Sequence, residues 1–386
     1  MKSKCILILY FLSPAVFAST IKLADVLEST RNHYPAIIQA KSNVQAAEAN
    51  LRNSNGAYDM KLKGDNFWVT TGYFKRHLNE IKVVKPLPVM GSSLYTSYGK
   101  AFPGLFPPQY STMSTNSGGQ AMVGGEMSLI KNSFLDAPRA QIKTSEYNVG
   151  QAKQDLEWSK LQLSKEAAAL YWSWLAHSRI YYIYANLLEM AVKRDEILAQ
   201  RVNKGDTSEI VRKENQQYMA RRKAELAQTQ IDVTRSALDL SLFFRDQNGN
   251  VVVPGTVSNQ ELTQNLSDEE LRVKNEMSDL IKEGLASKMV DQRPDFQHLK
   301  LEIDKNEVEY RMGVNELLPS LNVGADFTRY MGNEDPMNAA HIVQLNLKFE
   351  IPLEWELGEG RKQAAGANRR VLSSKLSYMK DNISNG

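Results

Sequence analysis

A helix that opens on a proline and then gives way to a strand occurs twice in this chain, 259 positions apart. Tyr34-Pro35 opens an alanine-rich helix that runs to about Tyr58. Arg293-Pro294 opens another that runs to Leu317 and yields at Pro319 to strand-like sequence. At that offset Pro35 matches Pro294, Lys41 matches Lys300, Glu48 matches Glu307, Arg52 matches Arg311 and Leu62 matches Leu321. A long-period repeat constrains architecture before any local pattern does. It divides the mature chain into a first repeat over 19–292 and a second over 293–386. The first continues for about 160 residues past its second strand, the second for about 35, so the second repeat is expected to be incomplete.

Residues 1–18 read as a secretory signal peptide. Lys2 and Lys4 precede the apolar run Ile6–Leu12, and Val16-Phe17-Ala18 supplies a small-residue cleavage site. Cys5, the only cysteine, leaves with it. Disulfides, thiol catalysis and cysteine-ligated metals are thereby excluded from the mature chain. Removing Lys2 and Lys4 from the 47 basic residues leaves 45 against 44 acidic ones. So balanced a chain has no field to attract nucleic acid, and none is expected as a partner. No later stretch holds the ~18 consecutive apolar residues of a spanning helix. An exported chain of this kind that crosses a membrane must do so as a barrel.

The first repeat reads as helices over 20–58, broken at Pro35 and capped at Thr20. Two strands follow, at about 62–74 and 119–130, joined by a large loop rich in Pro, Gly, Ser and Tyr over Lys85–Gly119. A helical hairpin then occupies 138–244. Its first arm, Pro138–Asn203, carries a seven-residue ladder: Val149, Leu156, Leu163, Leu170, His177, Tyr184, Ala191 and Leu198. That is a coiled-coil seam on a helix roughly 100 Å long at 1.5 Å per residue, so it must pack along its length. Lys204-Gly205-Asp206-Thr207 is a tight reversal, with Gly205 suited to a helix C-cap and Thr207 or Ser208 to the next N-cap. The returning arm repeats at Ile210, Gln217, Ala224, Ile231 and Leu238, and its alanines and polar residues leave it only a narrow apolar stripe. A connecting segment, 246–292, has turn signals at Asn248-Gly249 and Pro254-Gly255 and a helix from about Asp268 to Met289.

The second repeat reads as a helix over 294–317, strands at 321–329 and 342–351 around a polar loop containing Pro336, and a helix over 359–386. Both strands alternate over about ten residues, the span of a tilted barrel strand. Leu321, Val323, Phe327, Val343, Leu345, Leu347 and Phe349 are the candidate lipid-facing residues. Asn322, Asp326, Thr328, Gln344, Asn346, Lys348 and Glu350 are the candidate lumen-facing ones. Trp68, Tyr73, Tyr330 and Trp355 near strand ends suit an aromatic girdle.

No catalytic, cofactor or metal constellation emerges. His33, His77, His177, His298 and His341 are scattered without metal-ligand spacing. His177 sits on the heptad ladder as a packing residue. The aromatic run around Trp158, Trp172, Trp174, Tyr171, Tyr181, Tyr182 and Tyr184 fits packing where helices meet better than a ligand platform. The expectation is a protein that is not an enzyme.

The order of these segments resembles the TolC-like outer-membrane factors, the exit ducts of tripartite efflux pumps and type I secretion systems. The residues that carry the resemblance are the two proline helix openings and the junction Leu317-Leu318-Pro319-Ser320-Leu321. With them go the strand exit Phe349-Glu350-Ile351-Pro352-Leu353, followed by Gly358-Glu359-Gly360-Arg361, the tip Arg201–Ser208, and Leu240–Asp246 at the end of the returning helix. The resemblance implies a mixed α+β membrane protein of the Gram-negative envelope, localised to the outer membrane with a periplasmic extension. It implies a homotrimer in which each protomer gives four strands to a twelve-stranded barrel in outer-membrane lipid and helices to a long coiled-coil tunnel. Lys204, Gly205, Asp206, Thr207 and Ser208 would dock on a periplasmic adaptor, itself coupled to an inner-membrane transporter, and no cofactor is implied. The helical pair that carries the family's constriction has no counterpart here, so no gate residue is carried over and an impaired, truncated duct is expected. The alternative is a periplasmic coiled-coil adaptor or structural protein on a soluble β domain.

Overall fold

In a computed structural model the residues described are 21–71, 76–102, 115–255, 291–332 and 340–385. The expected signal peptide, the Thr20 cap, Tyr73, the helix at 268–289 and the loop at Pro336 lie outside them. Two compact units form: residues up to Gln39 with Trp158–Ala286, and Ala40–Glu157 with Ser287–Gly386. In chain order the described elements are α1 (Leu23–His33), α2 (Pro35–Asn55), β1 (Lys61–Val69), β2 (Arg76–Pro86), β3 (Ser93–Phe102), β4 (Gln120–Ser128), α3 (Ala137–Asn203), α4 (Glu209–Ser241), α5 (Pro294–Glu316), β5 (Ser320–Tyr330), β6 (His341–Glu350) and α6 (Glu356–Asn385).

The first unit is helical. Tyr34 separates α1 from α2 because the residue before a proline is driven out of the helical region; its φ and ψ are −71° and 131°. The core gathers Val26 from α1, Ala167, Tyr171, Trp174 and Leu175 from α3, and Ala237, Leu240 and Phe243 from α4 and its end. Tyr34 stacks on Phe243 at 4.7 Å between ring centroids. Ser29 ties α1 to the chain leaving α4: its hydroxyl accepts the Arg245 N–H at 2.7 Å and sits 2.7 Å from the Arg245 carbonyl. The aromatic run therefore packs a helical core at Tyr171 and Trp174.

Every position of the α3 ladder is buried or half-buried. The α4 repeat lies on the outer side of its helix. Ile210, Gln217, Ala224, Ile231 and Leu238 are all exposed, and the buried positions are Asn215, Thr229, Val233, Ser236, Ala237 and Leu240. α4 meets α3 through small and polar side chains: Asn215 donates to the Ala191 carbonyl at 3.2 Å, and Arg212 pairs with Asp195 at 3.4 Å. A helix with two separate stripes gives a seven-residue count no means of telling which one faces inward.

The second unit joins a sheet to helices. The sheet is an antiparallel meander in the order β1-β2-β3-β4-β5-β6. Six strands, not four, is the main departure from expectation, and it corrects the reading of Lys85–Gly119 as a loop. Pro86 and Pro88 frame a turn in which Met90 and Gly91 adopt positive φ of 51° and 55°, and on either side β2 and β3 pair residue for residue from His77↔Phe102 to Pro86↔Ser93. β1 is also shorter than expected, ending at Val69. Beside the sheet, α5 and α6 approach closely: a Cβ on Gly313 would meet the Lys362 nitrogen at 2.7 Å, and one on Gly358 would meet the Leu317 side chain at 2.7 Å. Asn306 donates to the Ala365 carbonyl at 2.9 Å. Arg361 pairs with Glu309 at 3.4 Å and also with Glu316. Ala140, Val308 and Met312 form a small core with Leu135 and Tyr147.

Candidate channel wall and hairpin tip

Cross-strand partners in a sheet project to the same face, so pairing register sorts the side chains. Leu62, Val83, Thr96, Val123, Phe327 and Val343 form one continuous row across all six strands. Leu94, Gly125, Ala325 and Leu345 form the next on that face, and Met127, Val323 and Leu347 another. Leu321 lies opposite Phe349. All seven candidate lipid-facing residues thus share one face. All are apolar; Phe327, Val343, Leu345, Leu347 and Phe349 are strongly exposed there, Leu345 at 78% and Leu347 at 71%, while Leu321 and Val323 are half-buried. An apolar face of this extent is not a stable surface in water.

The opposite face holds Asn322, Asp326 and Thr328 from β5 with Gln344, Asn346, Lys348 and Glu350 from β6, so the candidate lumen-facing residues also share a side. Ile342, opposite Thr328, is an apolar exception on it. At its centre runs the row Val84, Tyr95, Gly124, Asp326 and Gln344. Tyr95 lies over Gly124, where a Cβ would come within 2.8 Å of the ring, and its hydroxyl donates to the Asp326 carboxylate. The other Asp326 oxygen accepts from Asn346 Nδ2 at 2.7 Å. Lys82 sits 4.0 Å from the centre of the Tyr95 ring. Asp326 is only 8% exposed, and a buried carboxylate is tolerable when its oxygens are satisfied in this way. Lys348 and Glu126 add a loose pair at 3.9 Å.

Sequence reasoning missed Tyr95, Gly124 and Lys82 because they lie on or pair with the two unrecognised strands. The available signal was alternation: Ile81 and Val83, then Leu94, Thr96 and Tyr98, separated by the turn residues Pro88 and Gly91.

At the sheet end away from the helices, Trp68 and His77 pack at 3.9 Å between ring centroids and His77 and Phe102 at 6.1 Å, all on the apolar face. Amphipathic rings gather where a membrane-embedded sheet meets water. A polar row, Asn66, Asn79 and Lys100, adjoins them. Tyr330 does not join this belt: it lies opposite Gln120, on the polar face.

The tip of the helical hairpin is built from local chemistry. Gly205 closes α3 at φ +80°, a conformation that favours glycine. The Gly205 N–H donates to the Val202 carbonyl at 3.0 Å and the Asp206 N–H to the Arg201 carbonyl at 2.9 Å. Ser208, rather than Thr207, caps α4, accepting the Ile210 N–H at 3.4 Å. Lys204, Gly205, Asp206 and Ser208 are exposed and Thr207 is half-buried.

Among the described residues no helix is long and apolar enough to cross a membrane, and no three His, Asp or Glu side chains are grouped to hold a metal ion.

Comparison with models of protein families and with curated protein sequences finds no match. Solved structures do match. CusC, whose structures concern folding and transmembrane channel formation, aligns over 94% of this chain and 73% of its own at 10% identity, with a TM-score of 0.57. The outer membrane protein VceC of Vibrio cholerae aligns over 94% and 75% at 12% identity and a TM-score of 0.54. The outer membrane channel CmeC of Campylobacter jejuni aligns over 93% and 68% at 10% identity and a TM-score of 0.53. Identities this low speak to the fold, and the fold is that of the TolC-like outer-membrane channels.

Proposed function

We propose that this protein is the outer-membrane duct of a tripartite efflux pump or type I secretion system, a passive conduit with no cofactor and no reaction of its own. The observation that carries the reading is the sheet, apolar and exposed on one face, polar on the other, within the fold of outer-membrane channels. An open sheet cannot stand in lipid, because its edge strands carry unpaired backbone groups at several kcal/mol each. A ring of identical copies removes the edges, and a homotrimer is the assembly proposed. The apolar face then meets outer-membrane lipid, and Asn322, Asp326, Thr328, Gln344, Asn346, Lys348 and Glu350 line the lumen. The helices extend into the periplasm, and the exposed tip Lys204–Ser208 docks on a periplasmic adaptor coupled to an inner-membrane transporter that supplies the energy.

Fractionation of cells expressing the full chain tests this. A heat-modifiable trimer that needs detergent to leave the outer membrane supports the duct. Release of a soluble protein with the periplasm rejects it in favour of a structural or adaptor role.

A further inference from the structure

Resting on the trimeric-duct reading, we infer that the wall of the pore is made of eighteen strands, with β6 of each copy zipped to β1 of the next, and is correspondingly wide. Three observations carry this. The hairpin β2–β3 is part of the wall rather than an appendage: β2 pairs with β1 along nine positions and with β3 along ten, and β3 pairs with β4 along seven. Its side chains continue both faces of the sheet: Ile81, Val83, Leu94 and Thr96 on the apolar side, Lys82, Tyr95 and Ser97 on the polar side. A strand pair flanked by hydrogen-bonded neighbours on both sides cannot leave the wall without exposing four rows of backbone groups in lipid.

The second observation is the match of the two edges. Among the described residues β1 and β6 are the outer strands of the sheet, each with one edge that no described strand covers, and they have nine and ten residues. A meander with an even number of strands makes its first and last strands antiparallel, so β6 of one copy meets β1 of the next in the same antiparallel sense as every other pair in the sheet. The joint is head-to-tail, the kind that closes into a ring.

The third is charge. At the end of the sheet nearest the helices, β1 presents Lys61 and Lys63 on the polar face and β6 presents Glu350 there, while Lys348 leans toward Glu126. Antiparallel apposition brings Lys61 of one copy beside Glu350 of the other, a favourable cross-strand pair, and sets Lys63 opposite Lys348, whose charge Glu126 offsets at 3.9 Å. The occupant of each open edge is therefore a second copy of this chain.

Three six-stranded sheets give eighteen strands. Barrel diameter grows about in proportion to strand number, and barrels of about 16–18 strands hold an aqueous channel. The bore is thus about half again as wide as one of twelve strands.

Electron cryomicroscopy of the detergent-extracted full chain in lipid nanodiscs reads the count directly. Eighteen strands in three copies, β6 beside β1, is expected. Twelve strands overturns the inference, whether two copies supply six each or three supply four with β2–β3 outside the wall; particles without any barrel overturn the duct reading itself. Two further measurements bear on the joint and the width. Cysteines introduced as Lys61→Cys with Lys348→Cys or Glu350→Cys, in a chain whose sole cysteine is Cys5, are expected to give disulfide-linked ladders ending at three copies. Failure of both pairs, with trimers present, overturns the β6–β1 joint. Deleting residues 76–114 should lower single-channel conductance to about half, as bore area falls with the square of diameter. Unchanged conductance from an assembled deletion variant places β2–β3 outside the wall.

Discussion

At the scale of single residues, the polar face is organised by one stacked group. Tyr95 occupies the space that Gly124 leaves empty and delivers its hydroxyl to Asp326, which also holds Asn346. Gly124→Leu should displace the ring and destabilise the sheet by about 1–3 kcal/mol, read as a lower temperature for loss of the heat-modifiable form. Tyr95→Phe keeps the ring but leaves a buried carboxylate short of a donor, which should cost about 1–3 kcal/mol on the same assay. A second residue-scale device sits at the start of α5. Arg293 donates to Asp295 at 2.7 Å, and this bond, outweighing partial burial, holds the Asp295 carboxyl below its ordinary value of 3.8. A depressed acid contributes stability above its ordinary value and loses it as pH falls through the lowered one. Because the pair keeps contact with solvent its contribution is at most about 1 kcal/mol. The melting temperature of Asp295→Asn should therefore lie slightly below that of the parent protein at neutral pH, with the gap closing below pH 3.8. A gap that persists in acid would show that the charge is not its cause.

At the scale of elements, the helices were the legible part of the chain. Pro35 and Pro294 mark starts, Gly205 marks a reversal, and the α3 ladder keeps one side buried over its length, because helix ends and long apolar periods leave local signals. The inner strands left weaker ones. β2 and β3 alternate apolar residues with Glu80, Lys82, Ser93 and Ser97, and Pro86 and Pro88 beside them read as loop chemistry until pairing shows that they only end a strand. Which stripe of α4 faces inward was not legible either, since its core-facing positions, Asn215, Thr229 and Ser236 among them, are no more apolar than its outer ones. The close approach of α5 and α6 depends on two glycines that periodicity cannot single out. Gly313→Val should force α6 away from the backbone at Lys362 and cost about 1–3 kcal/mol. Limited proteolysis of folded protein reads this as faster cleavage within α6, with Ala365→Gly as a milder control.

At the scale of the whole molecule, the outer stripes of the helical unit matter most. Ile183, Met190 and Ile197 on α3 and Ile210, Ile231 and Leu238 on α4 are exposed at seven-residue spacings or multiples of it. Two apolar stripes facing water are stable only when covered, and neighbouring copies in the proposed trimer would cover them. Ile231→Lys should leave the helical content of the chain unchanged by circular dichroism while reducing the trimer recovered in detergent at least tenfold. An undiminished trimer would locate the subunit interface elsewhere.

The meander also has a sidedness. Every helical connection, and the turn around Met90 and Gly91, leaves one rim of the sheet; the links from β1 to β2, β3 to β4 and β5 to β6 all leave the other. In the proposed duct an epitope tag spliced after Val69, Phe102 or Tyr330 would be displayed to antibodies on intact bacteria, whereas the same tag at Val89 would stay hidden until the envelope is opened.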